Sequence, residues 1–224
     1  MNQETDHDYL EQYMMQRYNM LELVDFGNNN NNLISPLDSV MLLGVTGRNA
    51  AGKTTIVEWF VNQGWEGCSC SDAIRHWLRE NGQEITRENL TQGGRTLRSE
   101  GGPGVLAEML LNRMNPKQNT IIDSIRTPDE VHVLRKRDDF LLLEVNVPLD
   151  IRWQRMQERA RDGDPINYKI FLRQEDAEAV AEDSAGQALI ATAELSDIVI
   201  NNQGTLIQLY ESLETLISTF NQKM

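Results

Sequence analysis

Gly47-Arg48-Asn49-Ala50-Ala51-Gly52-Lys53-Thr54 lies between two stretches of different periodicity, and that junction constrains the fold more than any other feature of the chain. Before it, Val40 to Thr46 is apolar with β-branched residues, the character of a strand buried on both faces of a parallel sheet. After it, from Thr55 to Asn62, Ile56, Phe60 and Val61 recur at helical spacing. The eight residues fit the pattern G-x-x-x-x-G-K-[ST]. Gly47 and Gly52 allow backbone angles that a Cβ penalises, and the amides at the helix start point at an anion held in the bend. In such a loop Lys53 reaches the β- and γ-phosphates and the Thr54 hydroxyl ligates Mg²⁺, while Arg48, Asn49, Ala50, Ala51 and Thr55 complete its wall. The bland reading of so short a pattern is a tight turn with a solvated lysine. Lys-Thr in register and correct flanks on both sides favour the anion site.

The rest of the composition narrows the partners. A chain of 224 residues suits one domain with an appendage. Its net charge of −13 and pI near 4.7 argue against a general nucleic-acid binder, which needs a basic face. Any phosphate ligand must then be held by a local cluster of positive charge. No apolar stretch approaches membrane-spanning length and the acidic amino terminus lacks the signal-peptide pattern, so a cytoplasmic protein without membrane attachment is expected. Cys68 and Cys70 form a lone Cys-x-Cys, and His7, His76 and His132 are scattered, so zinc lacks a ligand set.

Residues 1–36 stand apart. Tyr9, Leu10, Tyr13, Met14, Tyr18 and Leu21 recur at helical spacing, and the run Asn28 to Asn32 follows Gly27. The pattern predicts a short helix on an asparagine-rich tether, ahead of a domain over 37–224. From Val40 onward, strand-like and helix-like stretches alternate, as in a parallel sheet covered by helices. The expected strands are Val40–Thr46, Trp65–Cys70, Asn119–Asp123, Phe140–Val147 and Asp197–Asn201. Thr127-Pro-Asp-Glu130 reads as a helix start, with a capping hydroxyl, a first-turn proline and acids near the positive dipole end.

The carboxyl ends of such strands face one crevice where ligands bind. Ser71-Asp72-Ala-Ile-Arg75 follows the second strand, with Arg75 about a turn after Asp72. Asp123-Ser-Ile-Arg126 follows the third, and Asp123, closing an apolar run, is a candidate carboxylate for Mg²⁺ or its waters. For each aspartate the alternative is a helix cap. Arg152, Arg155 and Arg159 fall on one helical face, where like charges repel unless an anion or acidic partner is present. This reads as a closing lid over a transferring phosphoryl group, with Arg173 beyond the turn at 162–165. The competing reading is a solvated helix paired with Glu158, Asp162 and Glu175.

These markers resemble P-loop nucleotide kinases of the adenylate-kinase-like and dephospho-CoA-kinase-like group, over about Val40 to Ile217. They are Gly-Val-Thr-Gly-x4-Gly-Lys-Thr, Ser-Asp-x-x-Arg, Gly102-Pro-Gly104, Ile122 to Glu130, the arginine-rich stretch and Ile200-Asn-Asn-Gln-Gly204. The resemblance implies an α/β three-layer sandwich with a five-stranded parallel sheet, an acceptor-binding helical segment over about 71–115 and a lid over about 152–173. It implies ATP and Mg²⁺ as cofactors and a small-molecule nucleotide as acceptor. By resemblance Arg75, Asp72 and Arg126 hold that acceptor, with Arg98 at its margin. Arg155, Arg159 and Arg173 contact ATP and the transferred phosphate, and Asn202 and Gly204 lie in the segment beside the donor adenine. Where adenylate kinases have Asp-Gly-Phe-Pro-Arg, this chain has Asp-Ser-Ile-Arg.

A nucleoside monophosphate acceptor arrives already ionised and needs arginines; a sugar hydroxyl acceptor, as in dephospho-CoA-type kinases, benefits from a base such as Asp72. An NTP-hydrolysing switch is a further alternative, against which no Asn-Lys-x-Asp motif follows the loop. A non-catalytic binding module would leave Lys53, Thr54, Asp123 and the arginines without a role. Oligomeric state is not legible in the sequence.

Overall fold

The computed structural model describes residues 40–161, 164–180 and 183–223, so the expected amino-terminal helix and tether lie outside the described residues. Five strands form one all-parallel sheet: β1 (Leu42–Thr46), β2 (Glu66–Ser69), β3 (Thr120–Asp123), β4 (Phe140–Asn146) and β5 (Ile198–Asn201). The order is β2-β3-β1-β4-β5. β1 is central, with Gly44 in register with Ile122 of β3 on one side and Leu142 of β4 on the other.

Among the described residues the helices are α1 (Lys53–Asn62), α2 (Cys70–Glu80), α3 (Arg87–Gly101), α4 (Val105–Leu111), α5 (Pro128–Leu134), α6 (Leu149–Arg159), α7 (Tyr168–Ala179), α8 (Leu189–Glu194) and α9 (Leu206–Lys223). Side chains alternate across β1 and separate two cores. Leu42 joins Ile122, Leu142 and Ile125 beneath α2 to α5, through Ile74, Leu78, Leu106, Leu110, Val131 and Leu134. Leu43 and Val45 join Ile121, Leu143 and Val145 beneath α1 and α9. In α9, Leu209, Leu213, Leu216 and Phe220 repeat at helical spacing on the buried face. Burying each such side chain is worth about 1.5–3 kcal/mol, which makes this double-sided core the main support of the crevice above it.

The expected strands and the three-layer architecture are present, with small shifts at the ends. β2 stops at Ser69 because the Ser69 hydroxyl accepts the Ser71 N–H (3.2 Å) and starts α2 at Cys70. Of the apolar triplet expected on α1, Ile56 and Phe60 are buried, while Val61 is 44% exposed. The Thr127 start is a full capping box: Thr127 Oγ1 accepts the Glu130 N–H, and Glu130 Oε2 accepts the Thr127 N–H. No helix among the described residues is long and apolar enough to cross a membrane.

Candidate active site

The loop leaving β1 depends on two glycines. Gly47 has φ +136°, and a Cβ there would lie 2.6 Å from the Val145 carbonyl oxygen. Gly52 has φ +96°, and a Cβ there would strike Asn202 Nδ2. Asn202 is the strap behind the loop: its Nδ2 donates to the Ala51 carbonyl (2.8 Å) and its N–H to the Asn146 carbonyl (3.0 Å). The segment expected beside a donor base thus braces the glycine loop. Lys53 folds back, its Nζ donating to the Gly47 (2.7 Å) and Arg48 (2.9 Å) carbonyls. The residue as a whole is half-buried, and burial of its ammonium pulls the pKa down to about 8, opposed by nearby Asp123 and reinforced by Arg126. Thr54, the next residue, is exposed.

β3 lies beside β1, so Asp123 ends its strand next to the loop. Asp123 Oδ1 accepts the Ser124 N–H at 2.6 Å, which is neither a cap of α5 nor an ion pair. Ser124 then adopts φ +65°, an unusual conformation for a residue with a side chain. Its turn aims Arg126 across the crevice. Glu130 secures the turn from inside: its Oε2 accepts the Arg126 N–H (2.8 Å), while its Oε1 accepts from Arg98 Nη2 (2.8 Å).

A cavity of about 230 Å³ opens at this end of the sheet. Arg75, Arg87, Arg98 and Arg126 reach its wall, Ile74, Leu90 and Leu106 give it an apolar side, and Asn49 and Ser124 border it toward the loop. Arg75 Nη1 donates to Asp72 Oδ1 (2.9 Å), and Asp72 itself stands on the exposed outer side, away from the cavity lining. Arg98 is almost wholly buried against Glu130, and its Nε has no hydrogen-bond partner among the described residues. Cys70 lines the cavity as well, and Cys68 sits half-buried in β2. Burial pushes the Cys68 thiol up to about 12 and raises Cys70 well above its ordinary range, so neither is an ionised nucleophile.

The arginines of α6 separate in space. Arg152 is buried: its Nε donates to the Val147 carbonyl (3.1 Å), its Nη1 to the Asn49 carbonyl (3.3 Å), and it pairs with Glu175 of α7 at 2.6 Å. Arg159 makes a two-pronged bond to Asp164, at 2.9 and 2.8 Å. Arg155 is half-buried, and burial lowers its pKa. Arg173 points to solvent on α7 and is absent from the cavity lining. The repulsion expected along α6 is therefore relieved by acidic partners, Glu175 among them, and Arg152 is an internal tie instead of a solvated charge.

Four contributors were not singled out by sequence reasoning. Arg87 is the first residue of α3, and the Thr86 hydroxyl capping the Asn89 N–H was a legible signal for that start. Its Nη2 donates to Gln174 (3.2 Å) and lies 3.9 Å from Glu178. Gln187 accepts from Arg126 Nη1 at 2.8 Å. Glu178 reaches Asn49 of the loop, and its helix also carries Gln174. No local pattern announces these last three, which matter only because α7 and the chain after it cross the crevice.

A glycine loop at a strand-to-helix junction, set in a parallel sheet of this order, defines a P-loop α/β fold. The chain belongs to the UPF0200 proteins. It is 30% identical over 168 residues to one from Aeropyrum pernix, covering 74% of this chain and 86% of that protein. It is also 26% identical over 182 residues to a UPF0200 protein of Methanocaldococcus jannaschii, covering 80% and 89%. No family model matches the chain. Among solved structures, a shikimate kinase from Acinetobacter baumannii in complex with shikimate has a TM-score of 0.54 at 18% identity, over 81% of this chain and 95% of that one. The protein TT1252 from Thermus thermophilus has a TM-score of 0.53 at 20% identity, over 80% and 97%.

Proposed function

We propose that the protein is an ATP- and Mg²⁺-dependent phosphotransferase whose acceptor is a nucleotide or nucleotide-like small molecule, a nucleoside monophosphate first. The observation that carries this reading is the cavity lined by Arg75, Arg87 and Arg126 immediately beside the Asn49 edge of the loop. An acidic protein gathers cations there, and phosphoryl transfer asks mainly for positioning and charge compensation. The fold shared with a shikimate kinase supports the class and leaves the acceptor open.

Loop amides from Gly47 to Thr55 and the Lys53 ammonium hold the donor phosphates, and Asn202 and Gly204 stand on the side of the donor base. The residues fit Mg²⁺: the exposed Thr54 hydroxyl and the second oxygen of Asp123 are two hard ligands, with phosphate and water to complete the shell. The bound ion would neutralise charge on the β- and γ-oxygens. Arg126, Arg75 and Arg87 hold the acceptor phosphate, while Arg155 and Arg159, which do not line the cavity, would have to leave their present surroundings, Arg159 its bond to Asp164, to reach the transferred group. An ionised acceptor needs no base, which agrees with Asp72 standing outside the cavity in its bond to Arg75. A dephospho-CoA-type hydroxyl acceptor would want that carboxylate turned inward.

Purified protein incubated with Mg-ATP and a panel of ribo- and deoxynucleoside monophosphates plus dephospho-CoA, with products separated by chromatography, tests the proposal. We expect one or a few monophosphates to become diphosphates with matching ADP. ADP formed equally with and without every acceptor rejects transfer and favours a hydrolytic switch. Conversion of dephospho-CoA alone moves the assignment to a hydroxyl acceptor.

A further inference from the structure

We infer that Asn49, Arg87 and Arg126 form one anion seat between the loop and the cavity, filled in this structure by the Glu178 carboxylate as an internal stand-in for a phosphate group, which a phosphate anion enters by displacing it. The inference deepens the transfer reading of the same site and rests on it for its biological meaning.

Three elements distant in sequence converge on one carboxylate. Asn49 Nδ2 donates to Glu178 Oε2 at 2.9 Å, Arg126 Nη1 lies 3.4 Å from the same oxygen, and Arg87 Nη2 lies 3.9 Å from Oε1. Glu178 is also among the charges felt by the Lys53 ammonium, so the donor and acceptor sides of the site both face it. One turn earlier on α7, Glu175 behaves differently: it is buried and holds Arg152 at 2.6 Å, as a structural tie does. The Glu178 contacts to the guanidinium groups are longer than the 2.7–2.9 Å of good charge-assisted bonds. A flat carboxylate with two oxygens spans this seat incompletely, whereas a tetrahedral phosphate presents three or more acceptor oxygens to the same donors. Arg126 remains oriented throughout by Gln187, and its backbone by Glu130. The seat is thus preformed on the guanidinium side, and the exchange of anions falls to α7.

Displacing an internal ligand lowers the apparent affinity of the external one by the fraction of molecules in which the seat is open. Removing the Glu178 charge removes that competition. The test is calorimetric titration of the full-length protein with inorganic phosphate, comparing wild type with Glu178→Gln, which keeps the shape and the bond to Asn49. We expect phosphate to bind roughly tenfold tighter to Glu178→Gln at an unchanged melting temperature, the size of one charge pair in a partly buried site. The gain disappears in Glu178→Gln combined with Arg87→Gln. Unchanged or weaker binding to Glu178→Gln overturns the inference. So does an equal gain from Glu158→Gln on α6, an exposed acid bonded to Gln154, because that would make the effect one of overall charge. Repeating the titration with a non-hydrolysable ATP analogue bound identifies the occupant: phosphate that still binds sits at the acceptor position, and phosphate that competes sits where the transferred group passes. Tighter phosphate binding without conversion of any acceptor would retire the transfer reading and keep the seat. Conversion without any response to Glu178 would do the reverse.

Discussion

The glycine loop and the arginine-lined cavity meet at Asn49 but are built in opposite ways. The loop is backbone chemistry over eight consecutive residues, and what it demands of side chains is mostly their absence, at Gly47 and Gly52. The cavity is side-chain chemistry drawn from α2, α3, the β3–α5 turn, α7 and the chain before α8. Its guanidinium groups also have partners within the protein: Arg75 with Asp72, Arg87 with Gln174, Arg98 with Glu130 and Arg126 with Gln187. A site of the first kind tolerates no local change. A site of the second kind can exchange one partner for another.

The largest effect should therefore come from the smallest change to the loop. Gly47→Ala places a methyl group against the Val145 carbonyl at a backbone angle that L-residues rarely adopt. Relief requires β1 and β4 to part or the loop to refold, at a cost of about 3 kcal/mol or more. Nucleotide affinity measured by titration should fall at least about 100-fold, with a lower melting temperature. A variant that binds ATP normally would show that the loop yields to a Cβ at position 47.

The same contrast explains what was legible in the sequence. Val40–Thr46 and Thr120–Asp123 are apolar runs long enough to announce buried strands, and Thr127-Pro-Asp-Glu carries its capping box in four letters. Lys53, Thr54, Asp123 and Arg126 are legible as candidates because each lies at the end of such an element or just beyond it. Arg152 reads from the sequence as a lid charge because helical spacing reveals which residues share a face and says nothing of how deep that face is buried. Its partners, the Val147 and Asn49 carbonyls and Glu175, come from three separate places. Glu178 and Gln187 are invisible for the same reason: their contacts to Asn49 and Arg126 exist only once the chain is folded. The Asp-Ser-Ile-Arg segment falls between these cases. Its aspartate and arginine were legible, whereas the positive φ of Ser124 that aims Arg126 was not.

A smaller effect, on the boundary between the two regions, belongs to Lys53. Its folded pKa of about 8 lies below the ordinary 10.5, so the folded protein bears a desolvated charge below pH 8. Between about pH 8 and 10.5 the unfolded chain keeps this proton and the folded one loses it, so this residue's contribution to stability rises with pH across that window. Denaturant titrations of wild type and Lys53→Met should show the variant relatively more stable below pH 8. The difference, on the order of 1–2 kcal/mol once partial exposure is discounted, should shrink toward pH 10.5. Triphosphate binding returns charge partners to the ammonium and raises its pKa, so ATP binding near pH 8 should take up protons in wild type and not in the variant. A flat difference profile would mean that the ammonium remains well hydrated above the loop.

The smallest expected effect is at Arg173, which the resemblance to adenylate-like kinases assigns to substrate. It stands on the solvent side of α7, two residues before Glu175, while the inward face of that helix is occupied by Glu175 and Glu178. Helical geometry places residues 175 and 178 one turn apart on one side and sends 173 elsewhere. With α7 in this position, the Arg173 guanidinium cannot face the cavity without giving up the Glu175–Arg152 tie. Arg173→Ala should leave the KM for the phosphate acceptor within about twofold of wild type, the usual scale for an exposed charge. A tenfold rise would mean that α7 turns when the acceptor binds, breaking Arg152 from Glu175 and bringing a new arginine to the phosphate, so that the lid, and not the cavity wall, completes the acceptor site.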